Sequence, residues 1–117
     1  MITIFQIQLT DDQIDHINEH GHDSVPAQHA RIKLLMSGSD AWKPEYFQYF
    51  TRTVECLADN LEGAFEETNL WNRPETKKLT ERVCSSSVGD IFERNGEYFI
   101  VDNFGFSQIE LNAATAA

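Results

Sequence analysis

From Ile2 to Leu9, Ile, Phe and Leu alternate with Thr and Gln, and the period of two with β-branching predicts a strand. Ile2, Ile4 or Phe5, Ile7 and Leu9 fall only imperfectly on one side of it. Thr10 or Asp11 then caps a short helix, with Asp11 and Asp12 at its positive end, Ile14 and Ile17 inward and Gly21 as its stop. His22 to Gln28 reads as a loop. In the next apolar run, Ile32, Leu35 and Met36 suit a helix face, whereas Ile32, Leu34 and Met36 suit a strand face. The Ser37-Gly38-Ser39 turn that follows favours the strand.

A long helix is predicted from about Pro44 to Thr68. Phe47, Phe50, Val54, Leu57, Ala58, Leu61 and Phe65 recur at spacings of three and four, Pro44 suits the first turn, and Gly63 is a point of bending. Trp71-Asn72-Arg73-Pro74 ends the periodicity, and Glu75 to Arg82 is a polar connection. The pattern then turns to β: Ile91 to Arg94, a two-residue Asn95-Gly96 turn, Tyr98 to Val101, a second turn at Asp102 to Gly105, and Phe106 to Leu111. The expected fold is α+β. A small, mostly antiparallel sheet, made of the N-terminal strand and a C-terminal three-strand meander, is covered by one long amphipathic helix and a short helix.

The 117 residues allow one domain, here 1–111, with 112–117 as a flexible tail. The formal charge of -10 argues against direct nucleic-acid binding and against docking on an anionic membrane. No segment has the apolar length of a membrane span, and Met1 to Leu9 lacks the basic start of a secretory signal. Cys56 and Cys84 are too few for a disulfide framework, so a reduced, cytoplasmic chain is expected. No cofactor is expected, because none of the six glycines forms a phosphate-binding or dinucleotide spacing.

Ser86-Ser87-Val88-Gly89-Asp90, followed by Tyr98-Phe99-Ile100-Val101-Asp102-Asn103-Phe104-Gly105-Phe106, resembles the C-terminal signature of the YodL-like family. That signature runs S-x-S-V-x-D, a strand, a turn and then Y-x-V-D-x-F-G-F. Ile2 to Gln8, Ile32 to Ser37 and Leu61 to Glu75 resemble its upstream pieces, in the same order. The resemblance implies an accessory domain of plasmids, conjugative elements and phages with no established activity, and it favours an extended Ile32 to Met36. It also marks Asp90, Asp102, Phe104, Gly105 and Phe106 as a candidate binding surface. Turn chemistry and core aromatics account for the same residues structurally.

Two further patterns bear on chemistry. His16-Ile17-Asn18-Glu19-His20 fits H-x-x-E-H, in which two histidines one helical turn apart hold a metal and the Glu activates water. His22 and Asp23 add ligand types nearby, so a small metal-dependent hydrolase using His16, Glu19 and His20 is the enzymatic alternative. Ordinary solvent-facing histidines are the plainer account. On the long helix, Glu55, Asp59, Glu62 and Glu66 follow spacings of four, three and four, which would set four carboxylates in one row. Such a row either keeps the protein soluble or imitates the phosphate track of a nucleic acid. The expected function is non-enzymatic: a mobile-element accessory protein that binds a partner with a basic surface, with an inhibitor of a nucleic-acid enzyme as its sharpest form. Trp42, Tyr46, Tyr49 and Trp71 are either interface anchors or core residues.

Overall fold

A computed structural model describes residues 1–111. In chain order it contains β1 (Ile2–Ile7), α1 (Asp11–His20), α2 (Pro26–Ser37), β2 (Phe50–Cys56), α3 (Leu61–Leu70), β3 (Lys77–Lys78), β4 (Ile91–Arg94), β5 (Glu97–Val101) and β6 (Phe106–Ile109), with 3-10 turns at His22–Ser24, Gly38–Ala41 and Pro44–Tyr49. The six strands form one antiparallel sheet in the order β3-β2-β1-β4-β5-β6, so the α+β class holds. The tail expected over 112–117 lies outside the described residues.

The sheet is apolar on both faces. Ile2, Ile4, Val54, Cys56, Phe92 and Val101 gather on one side with Leu61 and Ala64 of α3. Ile7, Ile91, Ile100 and Ile109 gather on the other with Ile17 of α1 and Ala27, Ala30 and Leu34 of α2. Successive strand residues point to opposite faces, so neighbours such as Ile4 and Phe5 or Ile91 and Phe92 enter different cores. This is why the alternation in β1 looks imperfect: both phases are buried. Between the pairs Ile4–Val54 and Phe5–Arg52 the register also slips by one residue at Thr53, whose hydroxyl donates to the Ile4 carbonyl at 3.4 Å.

Two expected elements are replaced. The helix predicted over Pro44 to Thr68 divides into a 3-10 turn, the strand β2 and the shorter helix α3. Its periodic residues serve different surfaces: Phe50 packs with one core, Val54 with the other, and Leu57 is exposed. The β-branched Thr51, Thr53 and Val54 favour extension, and pairing with β1 gives that preference a partner. α3 then starts afresh at Asn60, whose side chain accepts from the Gly63 amide at 2.7 Å. The strand expected over Ile32 to Met36 is the C-terminal part of α2, and the loop expected over His22 to Gln28 gives way to that helix at Pro26. Pro26 occupies the first turn, and Ala27, Ala30 and Leu34 at spacings of three and four form its buried stripe. Gly38, at φ 56°, ends the helix by donating to the Leu34 carbonyl.

Other expectations hold, except that Ile14, expected inward on α1 beside Ile17, is exposed. Thr10 and Gln13 form a reciprocal capping box at the start of α1, and Gly21 ends it. Asn95 and Gly96, at φ 55° and 83°, make the β4–β5 turn with both residues in the left-handed region. The polar connection after Pro74 carries one element not expected from the sequence, β3, a two-residue edge strand paired with β2 through Val54–Lys78 and Glu55–Lys77.

Candidate functional site

β1 and β4 pair only from Thr3–Glu93 to Phe5–Ile91. Beyond Phe5 the two strands part, and the segment from Cys84 to Asp90 fills the divergence on one side while α2 borders it on the other, leaving a cleft of about 80 Å³. One side chain secures this wall. The Gln6 amide donates to the Cys84 carbonyl at 2.9 Å and to Asp90 Oδ2 at 3.0 Å, and its oxygen accepts from the Cys84 amide at 3.3 Å. Asp90 Oδ2 also accepts from the Ser87 amide at 3.1 Å. Burial pushes the Asp90 carboxyl up to about 6, against the opposing pull of Gln6, the Ser87 amide and the Arg31 guanidinium. Arg31 lies on α2 and lines the same cleft as Asp90.

Asp90 is also part of the sheet frame. Gly89 donates to the Val101 carbonyl and the Val101 amide to the Asp90 carbonyl, both at 2.9 Å. These bonds join the segment that ends at Asp90 to the end of β5. Gly89, at φ 95°, passes so close to α2 that a Cβ there would stand 3.0 Å from Leu34 Cβ.

One residue beyond Val101, the Asp102 carboxylate accepts from the Ser39 amide at 2.7 Å, from Ser39 Oγ at 2.9 Å and from Ser107 Oγ. Desolvation pushes this carboxyl up, but the bonds from Ser107 and Ser39 outweigh it and hold it below the usual carboxylate value. The turn from Asp102 to Gly105, closed by Asp102 N donating to Gly105 O at 2.9 Å with Gly105 at φ 75°, is thereby pinned to the segment that follows α2. Phe104 stands on it at 97% exposure, and Met36 near the end of α2 is 74% exposed.

The candidate surface therefore separates into parts. Asp90 belongs to the cleft and Phe104 to the turn, while Asp102 and Gly105 hold that turn in shape. Phe106 is half-buried and packs against the core, its ring centroid 5.3 Å from Phe92 and 6.4 Å from Phe65. Trp42, Tyr46 and Tyr49 are half-buried against one core and Trp71 against the other.

The single carboxylate row does not form. Glu55 is on β2 opposite Thr3 and Lys77, Asp59 is in the following loop, and only Glu62 and Glu66 share α3. Asp59 and Glu66 border a polar hollow beside the buried Glu67, which accepts from Thr76 Oγ1 at 3.0 Å and lies 3.5 Å from Arg73 Nε. Burial, with the Glu67 charge adding to it, pushes the Cys56 thiol up to about 12, which removes it as a nucleophile.

The histidine pattern does not assemble a metal centre. His16 and His20 lie one turn apart with ring centroids at 4.5 Å, but His22 Nδ1 is 3.1 Å from Gln28 Nε2. Among the described residues no three His, Cys, Asp or Glu side chains come together as a ligand set.

Gln6, Arg31 and Cys84 were not foreseen as cleft residues. A signal was present for Gln6, a polar side chain following Ile2 and Ile4 on one phase of an apolar strand. None was available for Arg31, because only the helical form of its segment brings it to the cleft. Comparison with protein-family models, with curated proteins and with solved structures found no match for the chain.

Proposed function

We propose that this chain is a non-enzymatic accessory protein of a mobile genetic element, similar to the YodL-like proteins, and that it acts by binding another protein through the Phe104 turn. One observation carries this reading: Phe104 is almost wholly exposed, yet its turn is held by the Asp102 bonds to Ser39 and Ser107. An exposed aromatic ring on a fixed support loses little conformational freedom on docking, which is the property of an interface anchor. The net charge of -10 favours a partner with a basic surface, and enzymes that process nucleic acids offer such surfaces.

Affinity capture from the native host at low and high salt, with the wild-type chain and with Phe104→Ser, tests the proposal. The expected result is a protein retained at low salt, reduced at high salt and missing with Phe104→Ser. Equal capture by the two chains would contradict it.

A further inference from the structure

The cleft between the ends of β1 and β4 faces α2 with two opposite charges. Gln6 and Ser87 both donate to Asp90 Oδ2, and among the described residues no hydrogen bond reaches Oδ1. Arg31, across the cleft on α2, forms no salt bridge among the described residues. Gln8 and Ser87 add polar lining, and Leu34 and Val88 add apolar lining. The volume of about 80 Å³ corresponds to about three water molecules at their liquid volume, which admits a molecule of a few heavy atoms and excludes a nucleotide or a folded peptide segment.

We infer that this cleft binds a small zwitterion of the amino-acid class, its ammonium group on Asp90 Oδ1 and its carboxylate towards Arg31. Charge complementarity selects this occupant. A simple amine would meet Asp90 but gain nothing from Arg31, and a simple carboxylate would meet Arg31 but face Asp90. A zwitterion answers both charges, and the remaining ammonium hydrogens have the hydroxyl and amide oxygens of the lining as acceptors. The site stands apart from the Phe104 turn, so it does not depend on the proposed protein partner.

Titrations of the 15N-labelled chain with glycine, L-alanine and L-serine, followed by NMR, test the inference, with methylamine and acetate as single-charge controls. Saturable shifts are expected at the amides of Ser87, Gly89 and Asp90 with at least one amino acid, and binding by methylamine or acetate should be weaker by about tenfold or more. Asp90→Asn keeps an oxygen for Gln6 and Ser87, and Arg31→Gln lies on an exposed helical position. Both variants should retain dispersed spectra and lose about tenfold or more in affinity. Equal affinity for methylamine, saturation by no member of the panel, or unaltered binding in either variant would overturn the assignment.

Discussion

The Asp102 carboxylate grips Ser39 at two points, the backbone amide at 2.7 Å and the hydroxyl at 2.9 Å, and so ties the last turn of the sheet to the end of α2. Gly38 is the neighbour that makes the approach possible. A Cβ at this position would fall inside the van der Waals envelope of Asp102 Oδ1, and its φ of 56° is itself unfavourable for an L side chain. Gly38→Ala should therefore destabilise the protein by about 1–3 kcal/mol in a urea melt.

Asp102→Asn should lower stability by about 1 kcal/mol at neutral pH, because the charged acceptor of three hydrogen bonds becomes neutral. The pH dependence has a definite sign. The folded carboxyl titrates below its ordinary value, so its contribution is present above the unfolded value and is lost as pH falls through the folded one. The gap in melting temperature between wild type and Asp102→Asn should thus close in acid.

Asp90 has the opposite sign. Its folded pKa of about 6 lies above the ordinary 3.8, so between these values the folded chain binds more protons than the unfolded one and stability falls as pH rises. Arg31 from α2 is the charged group that eases this, and Gln6 and Ser87 supply the neutral donors. Asp90→Asn should match wild type near pH 4 and exceed it above pH 6, by at most about 3 kcal/mol. Thermal melts across this range check it. A residue that weakens the fold at neutral pH while lining a cleft has the character of a binding group.

Thr10→Ala removes the hydroxyl that accepts from the Gln13 backbone amide at 3.1 Å, and leaves only the return bond of the capping box, from the Thr10 backbone amide to Gln13 Oε1. The cost should be about 1 kcal/mol, read as a lower urea midpoint with an unchanged slope.

The C-terminal hairpin was legible because Asn95-Gly96 is a local signal, sufficient without knowledge of the rest of the chain. The segment from Pro44 to Thr68 was not. Its spacings of three and four arise from Phe47 in a 3-10 turn, Phe50 and Val54 on opposite faces of β2, and Leu61 and Phe65 on α3. Only the sheet, by burying both faces, makes a strand of Phe50 to Cys56, and that pairing is long-range. For α2 the informative residues were Ala27 and Ala30, too small to stand out beside Leu34, Leu35 and Met36. The candidate site divides in the same way. Asp90 and Phe104 were singled out by motif, whereas Arg31 and the carboxylate row depended on which segments became helical.

The proposal that Phe104 meets a partner is tested most directly by placing a photo-crosslinking benzoyl-phenylalanine at position 104 in the native host. The same probe at Leu70, an exposed position on α3, is the control. A discrete covalent adduct with another protein at position 104, absent at position 70, is the predicted result. No adduct at position 104, or the same adduct from both positions, would contradict it.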